Sequence, residues 1–388
     1  MPLRFDKLGV IIAGLALYGA SLAPFATFRA NRIVQGEAKS VLEALPPSLA
    51  YFLLALVILA AGVALLKTAS LLRMSAAFAV LVALGMLIGI AAGHLTPPEN
   101  TYARVSPASG FWVVVFAFSL LLADGLTRLN PGPIVRVLFL TAVLALAGGM
   151  LVAGGWAGLS MLKEYASRAD IFWTEAGRHV TLALGSLAAA TVVGLPLGIL
   201  CHRVESLRAG VLNVLNAIQT IPSIALFGIL IAPLGWIAAH VPGAAAVGIR
   251  GIGVAPAFVA LFLYSLLPVV ANTVVGLAGV PRDANDAARG VGMTDWQRLA
   301  RIEFPLAFPV ILTGIRIVLV QNIGLATIAA LIGGGGFGVF VFQGIGQTAM
   351  DLVLLGAVPT VVLAFAAAII LDALIEMTLP TRNHGSAA

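Results

Sequence analysis

Charge is what this chain of 388 residues has least of. Only 10% of it is Asp, Glu, Lys or Arg, against 61% hydrophobic residues, where soluble domains carry roughly 25% charged residues. So small a polar stock cannot clothe a water-facing surface, which excludes a soluble globular protein. Disorder is excluded by the same figures, because it requires low hydrophobicity and high charge. Cysteine is nearly absent: Cys201 stands alone, so no internal disulfide forms and no Cys cluster holds zinc or iron–sulfur. The net charge of +6 is spread thinly rather than gathered on a phosphate-binding face, which excludes nucleic acid as a partner. What remains is an integral membrane protein with the lipid bilayer as its first partner, in keeping with a mean hydropathy of +1.07.

Uncharged runs longer than about 18 residues are candidate membrane helices. They cover 8–28, 44–66, 74–98, 105–123, 137–162, 179–202, 209–249, 251–281, 304–350 (split only by Arg316) and 352–371. The expected fold class is therefore an all-α integral membrane protein with about ten transmembrane helices. A barrel is disfavoured because the apolar residues are contiguous rather than alternating. Pro222, Pro233 and Pro242 interrupt 209–249, and Gly333 to Gly336 interrupt 317–350. Each is read as one crossing plus irregular backbone, which in a bilayer must be buried in protein or line a cavity.

Ten crossings with an inside N-terminus put thirteen of the 22 basic residues on cytoplasmic connections, Arg4 and Arg382 among them, and eight outside. That bias favours both termini in the cytoplasm of a bacterial cell, with the chain multi-pass in the inner membrane. A competing reading of 1–28 is a signal peptide with Arg4 and Lys7 as its basic flank. Three stretches are expected. Residues 1–155 form a five-helix membrane extension. Residues 156–178 form an outer linker, either an interfacial helix anchored by Trp156 and Trp173 or an ordinary loop. Residues 179–388 form the functional core.

Residues 281–305, PRDANDAARGVGMTDWQRLARIEFP, hold eight charges in 25 positions, several times the density of the chain. The grammar is helix, glycine break, helix. Pro281 opens the first helix, Asp283 and Asp286 suit its positive end, and Gly290 and Gly292 end it. Thr294 and Gln297 have capping-box spacing for a second helix, expected to stop near Phe304 because Pro305 follows. Its charges sum to zero, against phosphate binding. A solvated loop is the plain alternative, but Trp296 and Leu299 on one helix face fit docking into a partner's groove.

Asp286-Ala287-Ala288, then Gly292, then Ile302-Glu303-Phe304-Pro305 resembles the EAA loop of ABC-importer permeases, E-A-A, three residues, G, nine residues, I-x-L-P. Asp286 replaces Glu and Phe304 replaces Leu. The resemblance implies that the loop is a coupling helix seated in a cleft of an ABC ATPase subunit, through Asp286, Ala287, Ala288, Gly292, Trp296, Ile302 and Pro305. The runs His179–Leu184, Gln219–Leu226, Gly314–Arg316 and Gly324–Gly338 resemble the glycine betaine/choline/carnitine branch of these permeases. The resemblance implies that the last five helices form a type I ABC-importer (MetI-like) core. The five preceding segments resemble a longer osmoprotectant subgroup.

Candidates for the translocation pathway are Gln219, Thr220, Pro222, Ser223, Arg316, Asn322 and Thr327. Gln219 to Ser223 have the composition of a bent, partly unwound helix, for which plain packing is the alternative. Arg316 is an intramembrane charge, either snorkelling or gating. Asn272, Gln321 and Asn322 fit hydrogen-bonding glue between helices. The glycine run is not a P-loop, since no lysine follows a glycine. No metal, cofactor or catalytic constellation is expected. The resemblance implies an ATP-driven importer of glycine betaine or a related quaternary amine. Its partners would be the ATPase, an extracytoplasmic substrate-binding protein, and a second permease copy or a paralogous permease. An amino-acid (for example methionine) importer and an ion-coupled secondary transporter are the rival readings.

Overall fold

In lipid an uncharged run satisfies every backbone N–H and C=O only by coiling on itself, so the apolar runs are helical. The computed structural model describes residues 5–32 and 34–378; Arg4 and Arg382, counted above for orientation, lie outside the described residues, as do both termini. The chain divides into two units, Met1–Ser167 and Arg168–Ala388.

The first unit runs α1 (Lys7–Ser21), β1 (Ala26–Arg29), β2 (Glu37–Lys39), α2 (Val41–Ala44), α3 (Pro47–Leu65), α4 (Ser70–Leu95), β3 (Arg104–Pro107), α5 (Ser109–Leu129), α6 (Pro133–Val152) and α7 (Ser160–Ser167). Four of these helices are long and apolar enough to cross a bilayer, whereas α1 is a shorter apolar helix of 15 residues, about 22 Å long. The run 8–28 is thus only partly helical, because Pro24 follows and the chain then joins a sheet. That sheet is antiparallel with order β2-β1-β3. Strands of three and four residues are too short to show alternation in sequence, and nothing above anticipates them. Ile12, Leu53, Leu84 and Phe118 join α1, α3, α4 and α5 in one core.

A fully buried arginine, Arg73, sits in this bundle. Its Nε donates to Asp124 at 3.0 Å and its Nη1 to the carbonyls of Ala64 and Leu66. Arg128 bonds Asp6 at 2.8 Å and Asp124 at 2.9 Å, so two arginines and two aspartates balance. Burial of charge is tolerated only with such pairing. The stretch 156–178 is divided. Trp156 lies in a turn before α7 and donates its indole N–H to Gly85 O at 2.6 Å. Trp173 lies in the next helix.

The second unit contains α8 (Ala169–Arg203), α9 (Glu205–Thr220), α10 (Ser223–His240), α11 (Val254–Ala278), α12 (Arg282–Gly290), α13 (Asp295–Arg298), a π-helical turn (Leu299–Glu303), α14 (Phe304–Ile328), a 3₁₀ turn (Ala329–Ile332), α15 (Gly338–Gly346) and α16 (Met350–Thr378). Five helical segments here are long and apolar enough to cross a bilayer. The break in 209–249 falls at Ile221–Pro222, and the glycine run separates α14 from α15. Close approach of α8 and α11 depends on Gly198, where a Cβ would stand 2.6 Å from Thr273 Cβ. Small residues at such crossings let helix backbones approach in lipid. At the centre Asn322 of α14 is fully buried and donates to Ser186 Oγ of α8 and Ser265 Oγ of α11, both at 2.9 Å.

Candidate coupling surface and pathway residues

The hairpin at 281–305 forms for the reasons its sequence gives. Pro281 is the N-cap of α12, and Gly292 takes φ +80°, the left-handed region that lets the chain reverse. Thr294 and Gln297 make the capping box reciprocally, at 3.3 and 2.9 Å. Ala288 is buried beneath the turn. Asp286 and Ala287 are exposed, with Asp286 3.9 Å from Arg289. Trp296 is 74% exposed. It lines an open apolar groove of about 450 Å³ with Leu299, Ala300 and Phe304, against Leu195 and Pro196 of α8.

The second helix does not stop before Pro305. The π-helical turn Leu299–Glu303 carries it directly into α14, with Ile302 half-buried within that turn and Pro305 in the first turn of α14. Proline denies its own N–H and crowds the carbonyl four residues back, and the widened turn accommodates both. Asp295–Ile332 is therefore one continuous helical segment of 38 residues, about 57 Å long.

Sequence reasoning missed the residue that holds the hairpin. Glu303 is buried; it accepts from Arg298 Nε at 3.0 Å and from Arg203 Nη2, at the end of α8, at 2.7 Å. Arg298 is itself buried and also pairs with Asp295 at 2.8 Å. No local signal reports this, because Arg203 lies 100 residues before Glu303. A second missed residue is Glu175 of α8, which accepts the Gly336 N–H at 2.6 Å and pairs with Arg178 at 2.7 Å. Gly335 and Gly336, at φ +77° and +85°, fold around it. Helices α8 and α14 are thus tied at three levels: by Glu303 at the hairpin, by Asn322 and Ser186 in the middle, and by Glu175 at the loop beyond α14.

The pathway candidates are not gathered in one place. Gln219 donates to Tyr264 O at 2.7 Å while the Tyr264 hydroxyl donates to Ile221 O, pinning the α9–α10 break to α11. Thr220 and Pro222 are exposed there, Ser223 half-buried. Arg316 pairs with Asp372 of α16 at 2.8 Å. Asn322 lies in the three-helix cluster, and Thr327 Oγ1 is buried without a hydrogen-bond partner near the end of α14.

Residues 194–379 match the family described as binding-protein-dependent transport system inner membrane component. Residues 6–162 match the N-terminal domain of the ABC transporter permease YehY. Osmoprotectant import permease protein OsmW of Salmonella typhimurium is 43% identical over 51% of this chain and 86% of its own length. The permease protein OsmY of the same organism is 39% identical over 62% and 92% respectively. The glycine betaine/carnitine/choline transport system permease protein OpuCB of Bacillus subtilis is 35% identical over 52% and 84%. A solved chain of the MetNI methionine ABC transporter aligns with a TM-score of 0.48 and 20% identity, over 55% of this chain and 99% of that one. The chain belongs to the binding-protein-dependent ABC permeases of the osmoprotectant type, and it carries a YehY-type N-terminal domain ahead of the permease core.

Proposed function

We propose that this chain is the translocating subunit of an importer for glycine betaine or a related quaternary amine, driven by a separate ATPase seated on the 281–305 hairpin. The hairpin would face the cytoplasm, in line with the bias of basic residues, and so would both termini, which takes α1 as a tenth crossing whose Asp6 end meets Leu65 at the end of α3 and Arg128. Asp286, Ala287, Ala288, Gly292, Trp296, Ile302 and Pro305 are assigned to the ATPase contact and its support. The observation that carries this reading is the continuity of the docking element with a span. Trp296 stands exposed on a helix that becomes α14 without a break, and Glu303 locks the same helix to α8.

A push on the hairpin has few soft points to dissipate in. Interfaces of packed helices switch between discrete arrangements rather than bending continuously. Helices α8 and α14, held at both ends and the middle, would move as one body. At the far end that movement would reach the Gly333–Gly336 loop through Glu175. Gln219 to Ser223, at a broken helix, and Arg316, Asn322 and Thr327 are the residues proposed to flank the pathway. An extracytoplasmic binding protein would deliver the substrate, and a second permease copy or paralogue would complete the pore. Ion-coupled transport finds less support, since Asp372 and Glu175 both carry arginine partners.

Reconstitution with the ATPase and binding protein in liposomes tests the reading. ATP-dependent uptake of labelled glycine betaine is expected. Uptake that runs without ATP, or accumulation of methionine in preference, contradicts it.

A further inference from the structure

The first unit carries a cationic cluster that the transport mechanism does not use. The antiparallel register sets Arg29 of β1 directly opposite Arg104 of β3, so both side chains stand on one face of the sheet. Like charges in directly opposed positions destabilise a strand pair. Arg32 and Lys163 join them: Arg32 and Arg104 lie 3.8 and 3.5 Å from the buried carboxylate of Glu164, and Lys163 donates to Ala103 O at 2.8 Å. Glu164 is thus shared by two guanidinium groups. Arg29 Nε and Arg104 Nη1 are buried and make no hydrogen bond. Burial, and then the neighbouring Arg104, hold the Lys163 ammonium below its ordinary lysine range.

Beside this cluster opens a pocket of about 590 Å³ lined by Arg32, Arg104, Asn31, Asn100 and Tyr102. Asn100 is fixed there by donating to Ala30 O and accepting from the Tyr102 N–H, both at 3.0 Å. Guanidinium groups present paired donors that match the oxygens of carboxylate or phosphate. We propose that this cavity is an oxyanion-binding site of the N-terminal unit, taking the carboxylate or phosphate head of a small solute or a lipid headgroup. An anion there offsets the opposed arginines and supplies an acceptor to the buried Arg104 Nη1.

The test is the unfolding temperature of the full chain in phosphatidylcholine nanodiscs, titrated with sodium phosphate or acetate against chloride at equal ionic strength. A ligand of the folded state alone raises that temperature saturably, here by roughly 2–4 °C near saturation. Arg104→Gln should abolish the rise, and Lys67→Gln, at an exposed position away from the site, should keep it. Should Arg104→Gln fold poorly, Arg32→Gln serves, since that side chain is 41% exposed on a connecting segment. In nanodiscs with phosphatidylglycerol, a higher unfolding temperature that removes the phosphate response assigns the site to a lipid headgroup; an unchanged phosphate response assigns it to a soluble anion. No saturable rise in any disc, or a rise that survives in both arginine variants, overturns the proposal.

Discussion

Replacing Glu303 by Gln removes the charge that joins the hairpin to α8 while keeping the shape of the side chain. Two arginines then lose their partner. Arg298, with a side chain only 5% exposed, keeps the exposed Asp295 alone; Arg203 is one-third exposed and turns to solvent. Breaking a buried pair costs roughly 3–5 kcal/mol. The Arg203 contribution is screened and is worth at most about 1 kcal/mol. Because glutamine still accepts one hydrogen bond, a net loss of about 2–3 kcal/mol is expected. If Glu303 transmits hairpin movement to α8, a coupling term of typical size disappears, and the ratio of solute transported to ATP hydrolysed falls by roughly tenfold. Co-purification with the ATPase is retained, because Asp286, Ala287 and Trp296 are untouched. Arg203→Lys, which keeps the charge, should fall between wild type and Glu303→Gln. A Glu303→Gln complex with wild-type stoichiometry of transport to hydrolysis refutes the reasoning, whatever its stability.

Gly292→Ala places a Cβ in open space but in the left-handed region, costing about 1–2 kcal/mol locally. Folding should survive and ATPase association weaken, as pull-down of the pair reads directly. Gly198→Leu drives a side chain into Thr273, and overpacking of roughly 1–3 kcal/mol or more should lower the unfolding temperature and the yield of folded protein. Asn322→Leu removes two donated hydrogen bonds, yet Ser186 and Ser265 keep their own bonds to Leu182 O and Leu261 O. A stability change within about 1 kcal/mol is expected by chemical denaturation. The Asp6 carboxyl is held below its ordinary range, first by the Gly9 N–H and then by Arg128. Its contribution is complete above the ordinary carboxylate value near 4 and is lost as pH falls through the lowered folded value. Wild type should therefore lose more stability than Asp6→Asn on acidification below about pH 4.

What the sequence made legible follows from which forces act locally. Uninterrupted apolar runs announce helices because lipid leaves the backbone no other partner, and the ends of α3 and α11 lie close to the charges that bound them, whereas α5 runs on past Asp124 to Leu129. The hairpin was legible because its caps are local: Pro281, Gly292, Thr294 and Gln297 fix it within a few residues. The π-helical turn was not, since Pro305 reads as a stop unless the preceding turn is known to widen. The ties between α8 and α14 were not, because Arg203 and Glu303, or Glu175 and Gly336, are distant in the chain and meet only on packing. Pathway candidates chosen for polarity proved to serve several jobs. Gln219 pins a break and Asn322 joins three helices, while Arg316 neutralises Asp372. The short strands of the first unit escaped because three residues carry no period.

Maleimide labelling of a cysteine placed at Trp296, in the assembled complex and in the chain alone, probes the seat of the ATPase most directly. Val247, exposed on the connection before α11, provides the reference position, and the native Cys201 is buried. Addition of the ATPase should protect the Trp296→Cys thiol and leave Val247→Cys labelled from the opposite side of the membrane. Equal labelling of Trp296→Cys with and without the ATPase, or reaction of both positions from one side, would contradict the account.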